Sequence, residues 1–109
     1  CAMNDLFARH AEICKTFSNP RRLEILSALR DNRELTASQL LERIDISKAN
    51  LSQHMAVLVQ KGVVKSRREG INVFYQLSDG RITTACDIMR EVLIGRLEAE
   101  AKALEQLKK

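Results

Sequence analysis

Within seven consecutive positions the chain places Ser47, Lys48, Asn50, Ser52 and Gln53. Asn and Gln amides hold a donor beside an acceptor, the pair that grips adenine at its major-groove edge. Ser and Lys suit phosphate oxygens, and so do the unsatisfied N–H groups of a helix that starts there. Lys65, Arg67 and Arg68 follow as cations for flanking backbone. Residues 47–72 hold five basic residues against Glu69 alone, a net +4 that equals the charge of the whole chain. Such a localised basic stretch is the electrostatic footprint of a phosphate-backbone binder. These eight residues are the candidate DNA contacts. Chemistry of the catalytic kind is not indicated: both histidines fall on helices, and there is no Gly-rich phosphate loop and no nucleophile beside a base. An enzyme is not expected.

The elements that must carry these side chains follow from period and punctuation. Leu6, Phe7, Ile13, Cys14 and Phe17 recur at helical spacing over 3–17, and Ser18-Asn19-Pro20 breaks that helix. Ser18 or Asn19 can cap the next one, with Pro20 in its first position, where a missing N–H is harmless. Leu23, Leu26 and Leu29 then mark a helix over 20–30. Thr36-Ala37-Ser38-Gln39 has the form of a capping box and opens a helix over 36–43. Ser47 caps another that runs to Lys61, closed by Gly62.

On that helix Leu51, Met55 and Leu58 must face inward, which leaves Ala49, Gln53, Ala56 and Gln60 outward, flanked by Asn50 and Ser52. After Gly62 the period changes from helical to two, so Val63–Arg68 and Ile71–Leu77 read as a two-stranded hairpin turning at Glu69-Gly70. Ser78 or Asp79 caps a last helix over 79–107, whose apolar line is Ile82, Cys86, Met89, Val92, Leu93, Leu97, Ala101 and Leu104. The expected fold is mainly α with a small β-hairpin. Two short helices, a tight turn and a basic ribbon are the order of a winged helix-turn-helix, whose second helix enters the major groove.

Length and composition agree. A chain of 109 residues, 45% hydrophobic and 29% charged, reads as one globular domain over 1–109. With 4% aromatics, four Gly and one Pro it lacks the turns and strands of a β-sandwich. No apolar run approaches the roughly 20 residues of a membrane span, and no secretory signal opens the chain, although it starts at Cys1 rather than Met. Three scattered cysteines do not make a disulfide framework, so the cytoplasm is the expected compartment.

Three segments carry a family resemblance. Phe17–Leu26 (FSNPRRLEIL), Ser47–Met55 (SKANLSQHM) and Asn72–Leu77 (NVFYQL) are similar, in order and spacing, to the ArsR/SmtB transcriptional repressors, over about residues 10–95. The resemblance implies a homodimer through the first and last helices, 3–17 and 79–107. It also implies a double-stranded operator and release when an effector binds. The effector sites known in that family do not carry over. Thr36-Ala37-Ser38 stands where the arsenic and cadmium type has Cys-x-Cys, and the last helix has no His for the zinc type. The persulfide-sensing type has a cysteine where this chain has Ser27 and another near the position of Ile94.

What remains is Cys14 and Cys86, on two helices that the family's packing makes neighbours. They are the candidate thiol sensor, bridging under oxidation if their Cα atoms lie within about 7 Å. With His10, one turn before Cys14, they would make a three-ligand soft-metal or metalloid site. The plain alternative is that both cysteines pack as small hydrophobes. His54 is expected to pack or to meet a phosphate, and Arg21 and Arg22 to form a solvated or phosphate-near face. The sequence thus describes a dimeric, effector-released repressor that binds DNA. The other readings are a winged-helix protein-interaction module and a family member without an effector site.

Overall fold

The computed structural model describes residues 2–108, with side chains from Asp5 to Lys108. The chain divides into two compact units, Cys1–Asp79 and Gly80–Lys109.

The first unit begins with helix α1 (Ala2–Thr16) and helix α2 (Pro20–Asp31). Asn19 caps α2, its Oδ1 accepting the Arg21 N–H at 2.9 Å, and Pro20 occupies the first turn as expected. Strand β1 is only Leu35–Thr36 and leads straight into helix α3 (Ala37–Arg43). The capping box is complete: Thr36 Oγ1 accepts from the Gln39 N–H at 3.2 Å, and Gln39 Oε1 accepts from the Thr36 N–H at 2.9 Å. Helix α4 (Lys48–Gln60) follows a short turn and is capped by Ser47, whose Oγ accepts the Asn50 N–H at 3.1 Å. Gly62 closes it at φ +76°, a left-handed conformation that costs a glycine little.

Strands β2 (Val64–Glu69) and β3 (Asn72–Leu77) form the expected hairpin, turned by Gly70 at φ +64°. They are not alone. β1 pairs with the outer edge of β3, Leu35 opposite Tyr75 and Thr36 opposite Phe74, giving a three-stranded antiparallel sheet of order β1-β3-β2. A two-residue strand is too short to leave an alternating signal in sequence, and Thr36 is at once strand and helix cap.

The core of this unit is drawn from α2, β1, α3, α4 and the start of β2. Ile25, Leu26 and Leu29 of α2, Leu35 of β1, and Leu40 and Ile44 around α3 are buried. They meet the seam Leu51, Met55 and Leu58 of α4, with Val63 and Val64 at the entry to the ribbon. Each such side chain contributes about 1.5–3 kcal/mol of transfer free energy, and together they fix α3 and α4 as a helix-turn-helix. On α1 the expected apolar line is instead open: Leu6, Phe7 and Ile13 are exposed.

The second unit is helix α5 (Arg81–Leu107). Its start differs from the expected Ser78 or Asp79 cap: Gly80 holds the cap position without a side-chain bond. The Gly80 carbonyl accepts from the Thr83 and Thr84 hydroxyls at 2.9 and 3.3 Å, so hydroxyls of the first turn bond back to the cap backbone. Ile88, Met89, Val92, Leu93, Ile94, Leu97, Leu104 and Leu107 are exposed along α5.

Candidate nucleic-acid interface

The period of α4 sorts its side chains into two sets. Leu51, Met55 and Leu58 are buried, while Ser47, Lys48, Ala49, Asn50, Ser52, Gln53, Ala56 and Gln60 are exposed. The helix therefore presents small and amide side chains outward along its length, with one cation in its first turn. The Ser47 cap satisfies the Asn50 N–H, and the other N–H groups of that turn remain donors at the positive end of the helix dipole. A phosphate can be received there and base edges read one turn further along.

Three of the candidate cations lie on the ribbon, and the strand alternation divides them. The register pairs Lys65 with Gln76, Arg67 with Phe74 and Glu69 with Asn72, so these six share one face. Val64, Ser66 and Arg68 point from the other face, the one whose base is the buried Val64. Sequence reading took Lys65, Arg67 and Arg68 as a single set; the pleat separates Arg68 from the other two.

Arg67 is also engaged within the protein. Its Nε and Nη2 donate to the two carboxylate oxygens of Glu34 at 3.2 and 2.9 Å, and its Nη1 to Glu69 at 2.5 Å. The guanidinium carbon lies 4.6 Å from the centre of the Phe74 ring. The Arg67 hydrogen bonds hold the Glu34 carboxyl below its usual range, and Glu34 and Glu69 hold the guanidinium proton more firmly still. Nothing in the sequence pointed to Glu34, which stands 33 residues from Arg67.

His54 is half-buried on α4 and meets Arg22 of α2, the Nε–H of Arg22 donating to Nδ1 at 3.2 Å. Arg21 turns instead to Glu24 at 3.0 Å. Lys61, at the end of α4, pairs with Glu12 of α1 at 3.5 Å.

The candidate sensor residues fare differently. Cys14 is exposed rather than packed, and Cys86 is half-buried, its thiol pushed up mainly by burial. Among the described residues no group of three His, Cys, Asp or Glu side chains is placed to hold a metal ion. His10 and Cys14 are both exposed, and two ligands one turn apart on a single helix leave a tetrahedral ion half-coordinated.

The profile of a helix-turn-helix domain matches residues 17–67, from just before α2 to the middle of β2. The transcriptional activator HlyU of Vibrio cholerae is 36% identical over 85 residues, 78% of either chain. The chain belongs to the ArsR-type winged helix-turn-helix family. The arsenical resistance operon repressor of Staphylococcus xylosus is 44% identical over 66 residues, 61% of this chain and 62% of that one. The crystal structure of Mycobacterium tuberculosis Rv0081 superposes with a TM-score of 0.76 at 33% identity, covering 88% of this chain and 96% of that one. This ArsR-type protein is thus a DNA-binding transcriptional regulator. No helix among the described residues is long and apolar enough to cross a membrane.

Proposed function

We propose that this regulator acts in the cytoplasm as a homodimeric repressor on a double-stranded operator. The observation that carries the reading is the sorting of α4, with Lys48, Asn50, Ser52 and Gln53 exposed along a helix held from behind by Leu51, Met55 and Leu58. Asn50, Ser52 and Gln53 read base edges, Ser47 and Lys48 hold phosphate at the helix start, and Lys65 and Arg68 engage flanking backbone. The exposed apolar residues of α1 and α5 support self-association, because surfaces of this kind mark contact sites. A two-fold dimer presents two recognition helices to two half-sites.

Release by thiol chemistry is favoured over metal by the exposed Cys14 sulfur, accessible to an oxidant or persulfide. Fluorescence anisotropy on the protein's own promoter DNA, across a salt series and before and after mild oxidation, tests both levels. Salt-steep binding lost on oxidation, and retained in Cys14→Ser, assigns the switch to the thiols. Binding indifferent to oxidation removes the thiol reading and leaves the repressor. Binding that ignores salt, or the absence of binding, counts against the operator reading.

A further inference from the structure

We propose that Arg67 is a positioning residue of the wing that works through Glu34, and that it does not hold a DNA phosphate. The proposal rests on the reading of the ribbon as a DNA-contacting wing and says which of its cations does what.

All three guanidinium nitrogens already donate, two to Glu34 and one to Glu69, and one ring face of Phe74 lies against the guanidinium plane. A bidentate arginine–carboxylate pair is directional in a way that a lysine pair is not. A phosphate at Arg67 would find only the two remaining N–H groups, one on each Nη, and would sit beside the Glu34 and Glu69 carboxylates that repel it. The clamp also spans three pieces of structure. Arg67 is on β2, Phe74 lies directly across from it on β3, and Glu34 immediately precedes β1. Two residues after Glu34 comes Thr36, the cap of α3.

Beyond this point the ribbon has no third strand: β1 reaches β3 only at Phe74 and Tyr75. A bare two-stranded tip is marginal by itself, so its direction is set by the last anchor before it. Arg67 is that anchor. It aims the neighbouring Arg68, which stands on the opposite face, and ties the wing to the segment that opens the helix-turn-helix. Glu34 and Arg67 also wall an open cleft of about 390 Å³, bordered by Lys65, Phe74 and Gln76.

The test compares Glu34→Gln, Arg67→Met and the double variant with the wild-type chain. Two quantities are read: affinity for a labelled mixed-sequence duplex over a salt series, and amide exchange of β2 and β3 in the free protein. Plain electrostatics makes Glu34→Gln bind DNA more tightly, since it removes a negative charge and releases Arg67. Positioning gives the opposite sign: Glu34→Gln and Arg67→Met each weaken binding several-fold, and the double variant is no weaker than the worse single one. The ribbon amides exchange faster in all three.

Two results overturn the proposal. One is Glu34→Gln binding as well as wild type or better, with Arg67→Met lowering the salt slope by about one for each lost phosphate contact. The other is ribbon exchange unchanged in both single variants. A wild-type chain that binds no duplex sinks the DNA reading of the wing, while the exchange measurement still decides whether the pair orders it.

Discussion

Arg22 Nε–H donates to His54 Nδ1 across 3.2 Å, joining the first turn of α2 to the middle of α4. Nδ1 accepts only in the neutral imidazole, whose proton then sits on Nε2. Protonation of His54 therefore removes the acceptor and sets a cation beside Arg22. Burial, then the charges of Arg22 and Arg21, hold the His54 pKa below its ordinary value.

That shift gives a pH dependence with a definite sign. The unfolded chain takes up the proton at the usual histidine value of about 6.5, before the folded chain does. The stability from neutral His54 is thus fully present above that pH. It is lost as pH falls toward and through the lower folded value. Urea midpoints measured above and below the histidine range should drop on the acid side, and His54→Gln should flatten the drop. An equal drop in the variant would assign it to other groups.

Leu58 is wholly buried at the C-terminal end of the α4 seam. Leu58→Ala should cost about 2–5 kcal/mol, the range for a lost leucine side chain and the cavity it leaves. Denaturant unfolding checks this as a shifted midpoint at constant slope. A loss under half a kcal/mol would show that the site collapses around the gap.

Ser47 caps α4, and the proposed function also gives it a phosphate to face. Ser47→Ala should lower stability by about 1 kcal/mol through the cap. It should also weaken binding to operator and random duplex alike. Ser47→Asp should keep the cap yet bind DNA worse, because its charge repels phosphate. A Ser47→Asp protein that binds as well as wild type would remove Ser47 from the interface.

Gln53 and Arg68 should separate specificity from affinity. Gln53→Ala is expected to weaken operator binding while leaving random DNA nearly unchanged, at about 1–3 kcal/mol of lost discrimination. Arg68→Ala is expected to weaken both and to lower the log–log salt slope by about one per lost contact. Competition anisotropy with the two duplexes reads both effects. The same response to either change would undo the division of roles.

Leu93 and Leu97 lie one turn apart on α5 and are both exposed. If α5 is a dimerisation surface, Leu93→Glu with Leu97→Glu should turn a dimer into a monomer by light scattering, with the helix content retained by circular dichroism. A dimer that survives both changes would place its interface elsewhere.

Much of this protein was legible in the order of its residues, because the signals concerned are local. The caps at Asn19, Thr36 and Ser47, the left-handed glycines at 62 and 70, and the buried face of α4 each depend on residues within a turn or two. A side-chain period is a property of one element, and it sorted Gln53 outward and Leu51 inward before any fold was known. Charge density, likewise, is a sum over sequence and marked residues 47–72.

The tertiary structure decided what depends on distant partners. Glu34 meets Arg67 across 33 residues and Arg22 meets His54 across 32, so no local pattern could announce either pair. The third strand exists because β3 offers an edge to two extended residues that are too few to show alternation. The pleat then placed Arg67 and Arg68, adjacent in sequence, on opposite faces, and only the ribbon's neighbours gave one of them a carboxylate to hold. Sequence determined which residues carry the charge; the fold determined which of those charges is already taken.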